Sequence, residues 1–383
     1  MTAPLKVDQL LNSDLRPYRI PLLQRISESG RISLTVWHGE ARAGIGAPSS
    51  PNQASPLPLR PVRNVFWPVR GHRVAWQHQA LRILRSEGNV VICTEVIHNL
   101  TIWLIAIAHR LFGKGLVLHG HFVRSNGHGV LGSVSAMARR VLHRLADTYI
   151  AYTEEGRKSL LAEGIPPERV FVSQNTLDTE ALQAAADGVE PEAVDALREE
   201  LGLPAGPVLL YLGRLIPVKR VDVAVELLKN LDGEVSLVVV GDGFLRHELE
   251  ELSRGLPIRF RGAIYDELEL ARYFKLADIL VLPGRVGLTC VHGFANGVPC
   301  VTTREDVVEQ SPEYDYVEHG YNGLILPSDD PATHANAIRD LLEDPEALNR
   351  LGMGALETAQ RLTMGRMVEE YEDAVLKADA LRS

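Results

Sequence analysis

Cysteine is scarce in this chain of 383 residues. Cys93, Cys290 and Cys300 are the only three, none forms a CxxC pair, and the odd number leaves one unmatched. Neither a disulfide framework nor a thiolate zinc site is expected from that set. Cys93 and Cys300 fall in strand-like apolar runs, where a buried free thiol is the plain expectation. Long hydrophobic stretches are missing as well. The longest, Leu100 to Ala108, is far too short to span a bilayer. The first residues lack the charged, apolar and small-residue succession of a secretory signal, so a cytoplasmic location is expected. A nicotinamide dehydrogenase is disfavoured by another absence. Gly241-Asp-Gly243 has no third glycine and no acidic ribose contact at the usual distance.

What is present suits two packed domains. Hydrophobic residues make up 45% of the chain, and the length is enough to bury two cores. Charge is unevenly spread. Residues 1–150 carry 18 Lys and Arg against 7 Asp and Glu, a balance of +11, so the net −9 leaves −20 for residues 151–383. The two halves are therefore expected to meet different partners, the basic one facing phosphates or an anionic membrane surface.

In the second half, short apolar runs alternate with helical patterns. They run Val208–Leu212, Val221–Leu231, Val235–Val240, Phe244–Leu252, Ile258–Phe260, Glu267–Lys275, Asp278–Leu282, Leu288–Ala295 and Cys300–Thr302. Such alternation predicts a parallel sheet covered on both faces. The first half repeats it less cleanly. Strands are predicted at Ile32–Trp37, Val90–Cys93, Gly115–Leu118 and Thr148–Ala151. Helices are predicted at Pro21–Ser29, Val74–Ser86, Leu100–Leu111 and Ser133–Leu145, with a long loop over Gly44–Pro61. The reading is an α/β chain with one domain over residues 1–182, a linker region over 183–206 and a second domain over 207–363. Residues 364–383 form a last helix with no strand to follow.

Two stretches carry chemistry. In Leu209-Leu-Tyr-Leu-Gly-Arg-Leu-Ile-Pro-Val-Lys-Arg, a strand ends at Gly213, and Arg214 and Lys219 bracket the turn before a helix. Cations at a strand's carboxyl end beside a helix N-terminus suit a phosphate; the alternative is a solvated basic turn. In Pro283-Gly-Arg-Val-Gly-Leu-Thr-Cys-Val-His, Gly284 and Gly287 permit close backbone approach, and the amides of Gly287, Leu288 and Thr289 open a helix. Two anion sites on neighbouring strand ends fit a nucleotide diphosphate better than either alone.

These stretches, with Val240-Gly-Asp-Gly-Phe-Leu-Arg246, Asp278-Ile-Leu-Val-Leu-Pro283 and His319-Gly-Tyr-Asn-Gly-Leu324, resemble the retaining glycosyltransferases of family 4. The resemblance covers about Val208 to Leu342 and extends more weakly over the first half. It implies the GT-B fold: two Rossmann-like domains with a cleft between them and a C-terminal helix crossing back to the first. It further implies a metal-independent hexosyltransferase without cofactor, taking a UDP- or GDP-linked sugar as donor. Gly213, Arg214, Lys219, Gly284, Gly287, Leu288 and Thr289 would form the donor site. The acceptor would be a glycan or a lipid-linked molecule of bacterial surface polysaccharide synthesis, with no nucleic-acid partner. The chain departs from the family at one point. Two glutamates separated by seven residues are replaced by Gly284 and His292, and a neutral imidazole offers one acceptor nitrogen where a carboxylate offers more. His292 is expected to meet the ribose or the transferred sugar, against a structural histidine facing a helix. The same departure admits a nucleotide-sugar epimerase, or an inactive relative that binds a sugar or lipid phosphate.

In the first half, His119, His121 and His128 lack a nearby carboxylate or thiolate, and no metal site is expected. By resemblance His121 corresponds to a cleft histidine near the donor sugar. Glu95 ends a strand, where it would fix or deprotonate the acceptor, or merely charge a helix N-terminus. Asn175-Thr-Leu-Asp178 resembles the family's loop at the end of the first domain. Arg16 and Arg19 fall where the acceptor loop lies. Arg139, Arg140 and Arg144 form a basic helix face suited to peripheral contact with an anionic membrane at its cytoplasmic side. The apolar stripe of that helix, Val134, Met137, Ala138, Val141, Leu142 and Leu145, is expected to cover the sheet.

Overall fold

The computed structural model describes residues 3–12, 15, 17–39, 57–69, 72–123, 130–231 and 235–382. The chain divides into two units, residues 1–174 with 364–383, and residues 175–363.

The first unit holds strands β1 (Leu5–Leu10), β2 (Ile32–Gly39), β3 (Leu59–Val62), β4 (Asn64–Val69), β5 (His72–Gln77), β6 (Val90–Thr94), β7 (Gly115–Gly120), β8 (Thr148–Ala151) and β9 (Val170–Val172). Seven of them form one parallel sheet in the order β3-β2-β1-β6-β7-β8-β9, while β4 and β5 pair as a separate antiparallel ribbon. Its helices are α1 (Ile20–Glu28), α2 (Ala80–Leu84), α3 (Leu100–Ala108), α4 (Val130–Leu145) and α5 (Glu154–Ala162).

The second unit opens with helices α6 (Thr179–Asp187) and α7 (Pro191–Glu200). Strands β10 (Val208–Leu212), β11 (Ser236–Val240), β12 (Ile258–Gly262), β13 (Ile279–Leu282), β14 (Cys300–Thr303) and β15 (Gly323–Leu326) form its sheet. The order is β12-β11-β10-β13-β14-β15, all parallel. Helices α8 (Val221–Glu226), α9 (Arg246–Leu252), α10 (Glu267–Leu276), α11 (Thr289–Ala295), α12 (Pro331–Leu342) and α13 (Pro345–Arg361) connect and close it. The last helix, α14 (Met364–Leu381), belongs to the first unit.

Strand period explains the layers. In β6, Val90 and Ile92 point into one apolar core with Val117 and Ile150, while Val91 and Cys93 point into the other with Leu116 and Leu118. On one face α14 buries Met364, Met367, Tyr371, Ala374, Val375 and Ala378, and Thr148 Oγ1 donates to its Ala374 carbonyl at 2.8 Å. The other face is covered by α2, α3, α4 and α5. A parallel sheet covered twice, with a returning C-terminal helix, is what the resemblance implied.

The structure departs from the sequence expectations in several places, among them strands β1, β3 and β4, which were not expected. Residues expected as a helix from Val74 begin as strand β5. Cross-strand partners Val65–Trp76 and Trp67–Val74 make β-branched and aromatic pairs that favour the extended form. The stretch expected as a linker is helical, as its sequence pattern suggests, but its helices α6 and α7 belong to the second unit. They pack on α10 and α11 and bury Leu182, Leu197 and Leu201 in the core of the second unit. Finally, Val134, Met137 and Val141 of α4 are exposed, although the stripe was expected to cover the sheet; of that stripe Leu142 is buried and Leu145 packs on the core, and His143 is buried beside them.

Candidate functional site

Both sheets reverse strand order once. In the second unit the reversal lies between β10 and β13, which pair directly. Ligands of open parallel sheets bind outside the carboxyl ends of strands at such a switch point. Gly213 and Arg214 leave β10 there, and Gly284 follows β13.

The two stretches expected to hold anions meet in the structure. Lys219 sits on a short 3-10 turn (Pro217–Lys219), and its Nζ donates to the Arg285 carbonyl at 2.6 Å and the Val286 carbonyl at 3.3 Å. The same nitrogen lies 3.1 Å from where a Cβ of Gly287 would stand. Gly287 has φ +62°, a conformation that a side chain would strain. The ammonium is therefore against the turn that opens α11. Burial pulls its pKa from 10.5 to about 8, with the Glu313 carboxylate opposing the fall and Arg214 adding to it. The neighbouring Arg220 is tied to Asp222 at 3.1 Å and to Asp329. Arg214 is exposed, and its guanidinium has no hydrogen-bonded or ion-paired partner among the described residues. This turn thus presents one cation without a counterion and one whose burial a bound anion would relieve.

Not every expected contact is available. The Gly287 amide already donates to Ser311 Oγ at 2.7 Å, and the Val286 amide to Gln310 Oε1 at 3.1 Å. Leu288 and Thr289 stand in the first turn of α11, which has no side-chain cap. Ser311 and Gln310 were not singled out from the sequence, because nothing in their spacing marks them. Glu313 was missed for the same reason; it is buried and accepts from Asn175 Nδ2 at 2.6 Å.

Gly284 is fixed by its neighbours. A Cβ there would meet the Val218 carbonyl oxygen at 2.4 Å and Lys219 backbone atoms at 2.6 and 2.8 Å. No carboxylate can occupy this position with the backbone as it stands. His292 is buried in α11, with its ring stacked on Phe274 at 4.6 Å between centroids and Nε2 3.2 Å from Glu267 Oε2. Its polar edge is thus engaged by Glu267 in the first turn of α10, so the imidazole is held by its own unit. The Glu267 side chain is 56% exposed and sits after β12, at the carboxyl-end rim of the sheet. Nothing in the sequence marks Glu267, because the pairing depends on α10 lying beside α11.

In the first unit the reversal lies between β1 and β6. Glu95 follows β6, and its Oε1 is 3.2 Å from Arg139 Nε and 3.5 Å from His143 Nε2. His143 Nδ1 is in turn 2.8 Å from Glu163 Oε2, with the imidazole fully enclosed. Arg139 is therefore spent on Glu95, which corrects its assignment to a membrane-facing set; Arg140 and Arg144 are exposed. Arg19 donates to Tyr152 Oη at 3.2 Å. Beside it, buried His119 lies edge-on to Tyr152 and Tyr371, and burial together with Arg19 lowers its pKa to about 3, so it is neutral. His121 follows β7 half-buried, its carbonyl held close to Gly156 of α5. Arg16 and His128 lie outside the described residues.

Residues 206–344 match the family model described as glycosyl transferases group 1. A D-inositol 3-phosphate glycosyltransferase of Xylanimonas cellulosilytica is 28% identical over 251 residues, covering 61% of this chain and 59% of that protein. The sulfoquinovosyl transferase SQD2 of Arabidopsis thaliana is 26% identical over 233 residues, covering 58% and 43%. The chain thus spans between two fifths and three fifths of these relatives. Among solved structures, Anabaena Alr3699/HepE in complex with UDP superposes with a TM-score of 0.73 at 19% identity, covering 96% of this chain and 98% of that one. At that identity the likeness establishes the fold.

Proposed function

We propose, from the premise that residues 206–344 are a group 1 glycosyltransferase domain on a chain of GT-B fold, that this protein transfers a sugar from a nucleotide diphosphate to an acceptor with retention at the anomeric carbon. The observation that carries the reading is Lys219 against the start of α11 at the β10/β13 switch point, with the Arg214 charge close enough to act on it. Arg214 would chelate phosphate oxygens with its planar fork, and Lys219 would add a compact charge. Together with the Leu288 and Thr289 amides they would stabilise charge growing on the leaving diphosphate, so that the reaction needs no metal. Ser311 would yield the Gly287 amide to the same phosphate. Glu267, steadied by His292, would supply the carboxylate that accepts from the ribose diol.

In this reading Glu95 orients the acceptor hydroxyl, held in place by Arg139 and His143, and Arg19 and His121 line the same end of the first sheet. The acceptor is a glycan or lipid-linked molecule of surface polysaccharide synthesis, met at the cytoplasmic face of a membrane. Exposed Val134, Met137 and Val141 alternate on α4 with exposed Arg140 and Arg144, as a helix lying on an anionic surface requires. No described helix is long and apolar enough to cross a membrane. A thermal-shift screen of UDP- and GDP-linked sugars, followed by assay of nucleotide diphosphate release with and without acceptor, tests the function. Acceptor-dependent release is expected; rearrangement of the donor sugar without acceptor would mark an epimerase and overturn the reading.

A further inference from the structure

The first sheet has a polar strip on one of its faces. Parallel strands buried on both sides read as continuous apolar runs, as β6 and β7 do. Strands β1 and β2 do not. Their residues toward one core are Val7, Ile32, Leu34 and Val36, whereas Lys6, Asp8, Ser33 and Thr35 point to the face that α2 shares. Helix α2 is five residues long. It leaves uncovered a cleft of about 660 Å³ over the amino-terminal halves of β1 and β2, lined also by the loop before β6. That is the end of the sheet opposite Glu95.

The cleft wall is built and its charge is unbalanced. Buried Asp8 accepts from Trp37 Nε1 at 2.7 Å and from Ser86 Oγ, and Lys6 pairs with Glu87, so both carboxylates are committed. Buried Lys114 donates from behind to the Ser86 and Gly88 carbonyls and fixes the loop. Three guanidinium groups remain. Arg60 and Arg85 have no partner among the described residues, and Arg82 has only the face of Trp37, 5.6 Å from its centroid. The Ser33 and Thr35 hydroxyls at the floor have no side-chain hydrogen bond among the described residues either.

We infer that this cleft binds the phosphomonoester of a sugar or polyol at a site separate from the nucleotide-sugar site. Arginine forks match phosphate oxygens bidentately, and the dianion offsets most of the surplus charge of Arg60, Arg82 and Arg85. The floor hydroxyls and the committed Asp8 wall would meet the polyol hydroxyls. The volume suits such a molecule, since small-ligand pockets run from about 300 to 1,000 Å³. The same phosphate chemistry is presented by a free sugar phosphate and by an anionic lipid headgroup.

The test is calorimetric titration of the full chain with glucose 6-phosphate, inorganic phosphate and neutral glucose, and sedimentation with vesicles containing phosphatidic acid. Three proteins are compared: wild type, Arg60→Ala/Arg82→Ala/Arg85→Ala, and Lys219→Ala as a control for phosphate bound at the nucleotide site. Melting curves establish that the variants fold. Glucose 6-phosphate is expected to bind wild type and Lys219→Ala alike, phosphate more weakly and glucose not at all. The triple variant should lose at least about tenfold in affinity. Triple-Arg-dependent binding to vesicles alone would also support the site and identify the headgroup as its source. Binding unchanged in the folded triple variant, binding lost only in Lys219→Ala, or no binding of either phosphate source would overturn the inference.

Discussion

The two parallel sheets reverse at comparable places, between β1 and β6 in one unit and between β10 and β13 in the other, but the ends they offer differ in charge compensation. At β10/β13, Arg214 has no counterion among the described residues, and Lys219 is pressed against backbone carbonyls with its charge disfavoured. At β1/β6, Glu95 is already met by Arg139 and His143, and Glu163 backs the imidazole. Uncompensated cations are a standing offer to an anion. A compensated carboxylate is instead held in one orientation, which suits positioning a neutral hydroxyl. The contrast teaches that the β10/β13 end leaves cationic charge for a ligand to meet, whereas the β1/β6 end pairs its carboxylate with cationic and imidazole groups of its own unit.

The strongest way to break that comparison is Arg214→Ala with Lys219→Ala. Each loss removes charge-assisted hydrogen bonds of about 1.5–3 kcal/mol. Turnover should fall roughly tenfold to over a hundredfold per substitution, measured by steady-state release of nucleotide diphosphate. Wild-type turnover in the double variant would remove the donor assignment. Gly284→Glu restores a family residue on paper, yet its Cβ would clash with Val218 and Lys219 backbone. We expect a loss of about 1–3 kcal/mol in chemical unfolding and no gain in activity.

Two subtler changes sharpen the contrast between the ends. As pH rises through about 8 the free Lys219 loses its charge, so donor affinity should decline toward pH 9, by up to roughly tenfold. Lys219→Arg should flatten that decline in the same titration, because a guanidinium stays charged. A decline of equal steepness in both proteins would clear Lys219 of the effect. Glu95→Gln should raise the KM for acceptor roughly tenfold and leave the KM for donor unchanged. An equal rise in both would place Glu95 outside the acceptor site. The smallest effect is at the surface. Arg140→Ala and Arg144→Ala should each weaken binding to anionic vesicles by about 1 kcal/mol, less at high salt.

Much of the second unit was legible because its strands are apolar on both faces and its helices have one stripe; β10, β11, β13 and β14 fall within a residue or two of expectation. The first unit was harder for a physical reason. β1 and β2 mix polar and apolar residues where one face is partly uncovered, and β4 and β5 form a ribbon outside the main sheet. At the site, Arg214 and Lys219 could be read because they bracket a strand-to-helix turn. Ser311, Gln310 and Glu313 reach it from a distant segment and carry no local pattern. His292 was legible as a departure from the family, but its partner Glu267 required knowing that α10 lies beside α11.

The account rests on a diphosphate held by the second unit's switch point. The most direct measurement is calorimetric titration of wild type and the Arg214→Ala/Lys219→Ala variant with UDP- and GDP-linked sugars, each protein first shown to be folded by its melting curve. The account predicts that one nucleotide class binds wild type and that the variant binds it at least about a hundredfold more weakly. Equal affinity in the two proteins would contradict it.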